Sequence, residues 1–513
     1  MSLTYTYDGS LLTRTTWSGP VTGTVERTWD NDFRVISEKV NGGTPVTYQY
    51  DADGLLVKAG DLTITRDLQT GLVTATTLGA VTTANAYNTF GELIHQEAKT
   101  SGNPIFTADY TRDLLGRITR KVEVIEGVTD TWDYAYDPAG RLQEVYRNGG
   151  RLSRYEYDAN GNRVAHITPT ETITATYDDQ DRLLTYGDIT YTYTANGELA
   201  TKTQNGQTVQ YQYDELGNLV KVTMPDGLEI EYVIDGQGRR VGKKVNGVQV
   251  KGLLYQDQLE PIAELNGPTL ESRWIYAATS HSPDVLLKGG QTYRLIADHL
   301  GSPRLVVNVT DGTVVQRMDY DEFGRTILDT GAGSQVFGFA GGVYDGQTGL
   351  VRFGARDYDA GVGRWGAKDP SRLSGGTSNF YDYSLNDPVN VRDVSGLGWI
   401  WNYSFAPVPY KPESQDNAPP QILNPGQGAF VDGLYSPEGT REPIVLKVPD
   451  NCAGIITPCG TTNVACIGLK GLLEPIPGIV TSDDFKADRN FDNWPNPYSG
   501  DQWPYPRWPA SSK

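Results

Sequence analysis

A chain of 513 residues with 38% hydrophobic residues, a mean hydropathy of −0.44 and a net charge of −19 suits a soluble protein with a thin core. Its acidic surface disfavours binding to phosphate backbones. No apolar run approaches the roughly 18 residues that a membrane helix needs. Tyr (31) and Gly (58) are frequent, whereas Met (3), Cys (3) and His (4) are rare, a composition of strands joined by tight turns.

The N-terminus, MSLTYTYDGSLLTR, has no charged segment followed by an apolar one, so no secretory signal is read there. It begins inside a repeat. The expectation is a protein made in a bacterial cytoplasm and exported or displayed at the cell surface, with any export signal lying upstream.

From there a phrase recurs, Tyr-x-Tyr-Asp-x-x-Gly-Arg/Asn-Leu. It is clearest in YAYDPAGRL (Tyr134 to Leu142), YEYDANGNR (Tyr155 to Arg163) and YQYDELGNL (Tyr211 to Leu219). Looser copies start at Tyr48, Ala86, Asp109, Thr176, Tyr191, Tyr232 and Asp319. The turn position falls at Gly54, Gly71, Gly91, Gly116, Gly140, Gly161, Asp181, Gly197, Gly217 and Gly238, with gaps of 16 to 25 residues.

Tyr-x-Tyr places two rings on one face of a strand, because side chains alternate with period two. Asp then accepts backbone N–H bonds of a turn. Gly supplies positive φ, and Arg-Leu or Asn-Leu starts the next strand. Two strands of about seven residues with their turns use about 20 residues, which matches the spacing. Each unit is a β-hairpin that buries its apolar face only by stacking on its neighbours. The stacked hairpins make one long sheet, which must curl or close to hide its edges. An ordinary β-sandwich with coincidental Tyr-Asp turns is the competing reading, and ten related copies disfavour it.

Near Tyr293 the text changes. It runs YRLIADHLGSPRLVVNVTDGTVVQRMDYDEFGR, then FGFAGGVYDGQTGLVRFGARDYDAGVGRWGAKDP, then SRLSGGTSNFYDYSLNDPVNVRDVSGL. This resembles the Rhs repeat-associated core of bacterial Rhs toxins and of the C-type subunits of ABC toxin complexes. The Tyr-Asp (YD) repeats resemble the teneurin shell. The resemblance implies an all-β fold: stacked hairpins in a spiral sheet forming a hollow shell, closed at one end by the core. It divides the chain into a YD-repeat shell (1–297), an Rhs core (298–397) and a variable C-terminal tail (398–513) that is the place of a toxin.

The resemblance also implies an aspartyl-type self-cleavage that releases the tail as cargo. Mapped onto this sequence, the first aspartate is Asp369 in KDP, the second is Asp393 in RDVSGL, and the arginine is Arg356 in GARDYD. The cut falls between Leu397 and Gly398. Two close carboxylates do not both ionise comfortably, so one holds a proton and the other serves as base. The fork of Arg356 fits a carboxylate. The competing reading is structural: Asp and Arg at turn corners cap backbone or pair with each other. This sequence departs from the family at Val394, where the family has Pro, a residue that would lock φ in the cleavage segment.

The tail holds 17 of the 29 prolines and five of the ten tryptophans. NAPPQILNPGQG and NWPNPYSGDQWPYPRWP read as loop or polyproline rather than strand or helix. All four histidines (His95, His166, His281, His299) lie outside the tail, which removes His-based nuclease and Cys-His schemes from it. Cys452, Cys459 and Cys466 are spaced by seven, unlike a metal pair, and an odd count makes no disulfide framework. Asp483, Asp484 and Asp488 read as a solvated turn. No cofactor and no metal are expected. Besides the tail as cargo, the expected partners are a second shell-completing chain, a secretion-system component or an immunity protein. Two other readings stand beside the toxin shell: a non-cleaving structural or surface-interaction protein, and an enzyme acting on external substrates.

Overall fold

The structure is a computed structural model that describes residues 1–279, 281–372 and 377–397. Beyond these it describes the backbone of six short strands between Ile400 and Ile456. The chain divides into two units, Met1–Gly398 and Trp399–Lys513. In the first, thirty-two strands from Ser2–Asp8 to Thr326–Asp329 form one antiparallel sheet, each pairing with its neighbours in sequence. No α-helix occurs among the described residues. The hairpin sheet runs through Asp329, so it includes the first part of the segment whose text changes near Tyr293.

The repeat folds as its turn chemistry dictates. Asp137 Oδ1 accepts the N–H groups of Ala139 at 2.9 Å and Arg141 at 3.0 Å, and its Oδ2 takes Arg141 Nε at 2.6 Å. Asp137 N donates to Arg141 O and Gly140 N to Asp137 O, both at 2.9 Å. Gly140 sits at φ +88°, a region that L side chains avoid. All ten turn positions read from the sequence have positive φ, Asp181 included at +60°. Strands pair in chain order, so these Asp turns lie along one edge of the sheet and the short turns between repeats along the other.

Adjacent repeats are stitched by the second Tyr of each phrase. The Tyr157 hydroxyl donates to Leu142 O of the preceding repeat at 2.7 Å, and the Arg141 guanidinium lies 4.7 Å over the Tyr157 ring. Tyr136 does the same to Ile118 O at 2.6 Å beneath Arg117, and Tyr50 to Val35 O at 2.8 Å beneath Arg34. Each of these half-buried phenols spends its polar end on a neighbour's carbonyl while its ring fills the sheet face.

The sheet curls back on itself without closing: its first and last strands each pair on one side only. Late strands pack on early ones. Trp17, Val25 and Val40 share a core with Leu254, Trp274 and Val306. Phe106, Leu142 and Tyr155 share another with Leu305, Val307 and Phe323. Burying each such large side chain stabilises by about 1.5–3 kcal/mol. Polar bonds cross the same seam: Trp17 Nε1 donates to Asp235 Oδ2 at 3.3 Å and Arg304 Nη2 to Glu123 Oε2 at 3.0 Å.

After Asp329 the chain builds a second, four-stranded antiparallel sheet from Val343–Asp345, Leu350–Phe353, Arg356–Asp359 and Arg364–Trp365. Its Leu350 and Val362 pack on the middle repeats through Leu183, Leu219 and Val222. Its own heart is aromatic, with Phe339, Phe353, Tyr358, Trp365 and Tyr383 in mutual contact. This small sheet carries the site.

The second unit shows three antiparallel strand pairs: Ile400–Trp401 with Gly428–Ala429, Val408–Tyr410 with Gln421–Leu423, and Ile444–Lys447 with Ala453–Ile456. The segment NAPPQILNPGQG, expected as loop, therefore contains the strand Gln421–Leu423. Ile422 and Leu423 are strand formers, and the prolines flank them rather than interrupt them. The three cysteines, Asp483, Asp484 and Asp488, and NWPNPYSGDQWPYPRWP lie outside the described residues.

Candidate functional site

Three segments converge. Arg356 opens a strand just after the tight turn that joins Leu350–Phe353 to Arg356–Asp359, and Phe353 pairs with Arg356 across that turn. Asp369 follows the Arg364–Trp365 strand and is fixed by its own N–H, which donates to Phe380 O at 2.9 Å. The segment from Asp393 to Leu397 crosses the turn of the hairpin, where Ala355 N donates to Ser395 O at 2.9 Å.

The crossing is tight enough to demand glycine on both sides. Gly396 sits at φ +66°, and a Cβ there would lie 2.4 Å from Phe353 O. A Cβ on Gly354 would lie 2.2 Å from Ser395 O. Both are below any real contact. The Gly of RDVSGL is thus required by the approach of two backbones.

The structure brings Arg356, Asp369 and Asp393 together. Arg356 Nη2 donates to Asp369 Oδ2 at 2.7 Å and to Asp393 Oδ2 at 3.3 Å. Its Nε donates to Gly396 O at 2.5 Å and its Nη1 to Phe380 O at 3.1 Å. The guanidinium lies 4.2 Å over the Trp365 ring, so its remaining face is also occupied. All three side chains are 4–5% exposed. Asp393 Oδ1 accepts Gly396 N at 2.9 Å and Ser395 Oγ at 2.8 Å.

One guanidinium therefore serves two carboxyl groups in a site shielded from water. Burial pushes the Asp369 carboxyl above its usual range; Arg356 and the Ser371 hydroxyl and amide pull it back, and Asp393 adds to the rise. Burial also lowers the Arg356 guanidinium from its ordinary value, while Asp369, Asp393 and Asp382 oppose that. A carboxyl raised in this way fits a state in which Asp369 holds a proton.

Two further residues belong to the cluster and escaped the sequence reading. Ser371 Oγ lies 2.5 Å from Asp369 Oδ1 and 2.7 Å from Leu397 O, the carbonyl of the expected cut. Asp382, in NFYDY, is a third, half-buried carboxyl, pushed up to about 7 by desolvation against the pull of Arg364 and Arg356. Neither carries a sequence signal of its own: Ser two residues after Asp reads as an ordinary turn, and Asp382 as one more Tyr-Asp. Gly398, the far side of the expected cut, lies outside the described residues. Among the described residues no group of three or more His, Cys, Asp or Glu side chains is placed to hold a metal. Nor is any helix there long and apolar enough to cross a membrane.

The profile of the Teneurin YD-shell family matches residues 1–389. Teneurin-4 of Mus musculus is 28% identical over 425 residues, covering 76% of this chain and 15% of its own length. Teneurin-3 of Danio rerio is 29% identical over 421 residues, with coverage of 75% and 15%. The double-stranded DNA deaminase toxin A of Burkholderia cenocepacia (strain H111) is 26% identical over 378 residues, with coverage of 65% and 25%. The chain thus spans about a seventh of the teneurins it matches. Among solved structures, the Photorhabdus luminescens Tc holotoxin pore superposes with a TM-score of 0.61 at 17% identity, over 75% of this chain and 23% of that one. The TcdB2-TccC3-Cdc42 crystal structure gives 0.56 at 16% identity, with coverage of 75% and 23%. At these identities the likeness is one of fold.

Proposed function

The chain belongs to the teneurin YD-shell family, and from that premise we propose that it is a toxin-type YD shell. In this reading it cuts its own backbone between Leu397 and Gly398 and releases residues 398–513 as cargo. The observation that carries the reading is the shared guanidinium: Arg356 Nη2 bonds two buried aspartates from different segments, and its Nε holds the carbonyl of Gly396, one residue before the cut. That arrangement gives an acid, a base and a fixed peptide in one dry pocket.

The matched toxin of Burkholderia cenocepacia supports a toxin role for the shell. A structure that shares the fold joins TcdB2 and TccC3 in its name, which supports a second, shell-completing component as partner. Intact mass after expression tests the proposal. Cleavage yields fragments of 397 and 116 residues (513 − 397 = 116), which separate under denaturing conditions. A single species of full mass overturns it.

One observation favours a second reading, a non-cleaving surface-interaction shell. Val394 stands where the family's cleavage segment has Pro, so the chain beside Asp393 lacks that restraint on φ. An uncut wild type that gains cleavage on Val394→Pro identifies this copy as a decayed protease.

A further inference from the structure

Ser371 touches both the acid and the peptide that the proposed reaction cuts. Its Oγ lies 2.5 Å from Asp369 Oδ1 and 2.7 Å from Leu397 O. A hydroxyl has one hydrogen. Leu397 O is an acceptor only, and so is an ionised carboxylate oxygen. Both short contacts are hydrogen bonds together only when Asp369 carries a proton on Oδ1, giving the chain Asp369 O–H to Ser371 Oγ–H to Leu397 O. Oδ2 is engaged by Arg356 Nη2 at 2.7 Å, and Oδ1 accepts the Ser371 N–H at 2.8 Å as well as meeting Ser371 Oγ; the short Oγ contact is what places the proton on Oδ1. Asp393 accepts hydrogen bonds on both oxygens, Oδ1 from Gly396 N and Ser395 Oγ and Oδ2 from Arg356.

We propose that Ser371 is a catalytic proton relay that carries the proton of Asp369 to the carbonyl oxygen of Leu397, with Asp393 as the base that takes a proton from the attacking water. The inference rests on the self-cleavage reading and assigns the two aspartates unequal parts in it. In the first step the water oxygen bonds to the Leu397 carbonyl carbon, and the released water proton goes to Asp393. The C=O π pair moves to oxygen, which takes the Ser371 hydrogen while Ser371 takes that of Asp369. In the second step the C–N bond breaks and the Gly398 nitrogen takes the proton from Asp393. One hydroxyl of the tetrahedral carbon returns its proton through Ser371 to Asp369. The net reaction consumes one water and leaves a carboxyl at Leu397 and an amine at Gly398. A carbonyl already held by a donor needs little reorganisation as charge develops on its oxygen.

The test is the rate of cleavage of the full chain, followed by pulse-labelled cell-free synthesis and denaturing electrophoresis, with melting temperatures of the uncut chains alongside. Ser371→Ala is expected to slow cleavage about 100- to 1,000-fold, the loss typical of removing one donor from a developing oxyanion. Ser371→Thr, which keeps the hydroxyl, is expected to remain within about tenfold of wild type. If Ser371→Ala cleaves at the wild-type rate while Asp369→Asn does not cleave, the relay is wrong and the aspartate pair stands. If Ser371→Thr melts like wild type yet is as slow as Ser371→Ala, the hydroxyl is not what matters and the relay is again wrong. A wild type that never cleaves overturns the self-cleavage reading and the relay with it.

Discussion

Asp235 and Asp369 are both buried, and each is bonded to an arginine at 2.7 Å. Asp235 stands at a repeat turn, where its Oδ1 accepts the N–H of Gln237 and Arg239 and its Oδ2 is held by Arg239, four residues on. Asp369 takes its arginine from 13 residues away and shares it with Asp393, 37 residues from Arg356. Burial is alike, with side-chain exposures of 0% and 5%, so it does not distinguish the two places. Stoichiometry does. One carboxylate to one guanidinium is a closed, structural pair, as the competing reading of turn aspartates holds. Two carboxyls to one guanidinium leave a proton to be placed, and a placed proton is what acid–base chemistry requires.

Exchanging each aspartate for its amide sharpens the contrast most. In the self-cleavage reading, Asp369→Asn abolishes cutting while shifting the melting temperature little, because size and most hydrogen bonds are kept. Asp235→Asn is expected to do the reverse. It strands Arg239 in the interior at a cost of about 3–5 kcal/mol, and the molecules that still fold cleave at the wild-type rate. Equal effects of the two changes on cleavage, measured on folded protein, break the comparison.

The core carboxyls also predict a dependence on pH. Burial pushes Asp387 up to about 7 and Asp382 likewise to about 7. Below the ordinary carboxylate range both forms of the chain hold these protons. Between about pH 4 and pH 7 the folded form keeps protons that the unfolded chain gives up, so stability falls as pH rises through that window and is level beyond it. Chemical denaturation of wild type from pH 4.5 to 7.5 is expected to show this fall. Asp387→Asn is expected to reduce it by on the order of 1–3 kcal/mol. A slope unchanged by Asp387→Asn contradicts the assignment.

At the repeat turns, Gly140→Val forces a β-branched residue to φ +88° and is expected to cost about 1–3 kcal/mol, read as a lower melting temperature without loss of cleavage. The smallest effect is reserved for the cleavage segment itself. In a wild type that cuts, Val394→Pro is expected to change the rate by less than about tenfold, since it stiffens a segment already fixed by Ala355 N on Ser395 O.

The hairpin could be read from its letters because every bond that defines it is local. The Asp137 turn uses donors at Ala139 and Arg141 and an acceptor at Asp137 itself, all within five residues. Tyr-x-Tyr alternation needs only the period of a strand. Arg356, Asp369 and Asp393 were legible in a different way, through the resemblance of ordered motifs, and nothing in their spacing of 13 and 24 residues specifies contact. Ser371 and Asp382 were not legible at all, since a Ser in a turn and an Asp after a Tyr are ordinary in this chain.

What the sequence alone determined is therefore the unit: strand, Asp turn, strand, repeated, with glycine or aspartate at the ten positive-φ turn positions read from it. The tertiary structure decided how the units are rolled and what meets across the roll. Trp17 bonds to Asp235 and Arg304 to Glu123 over separations of 218 and 181 residues, and Ser371 reaches Leu397 across 26. Turn bonds form among neighbours with few alternatives, so their chemistry is written in adjacent letters. Long-range partners are chosen by which sheet faces pack, and that choice is made by the whole apolar surface at once rather than by any one residue.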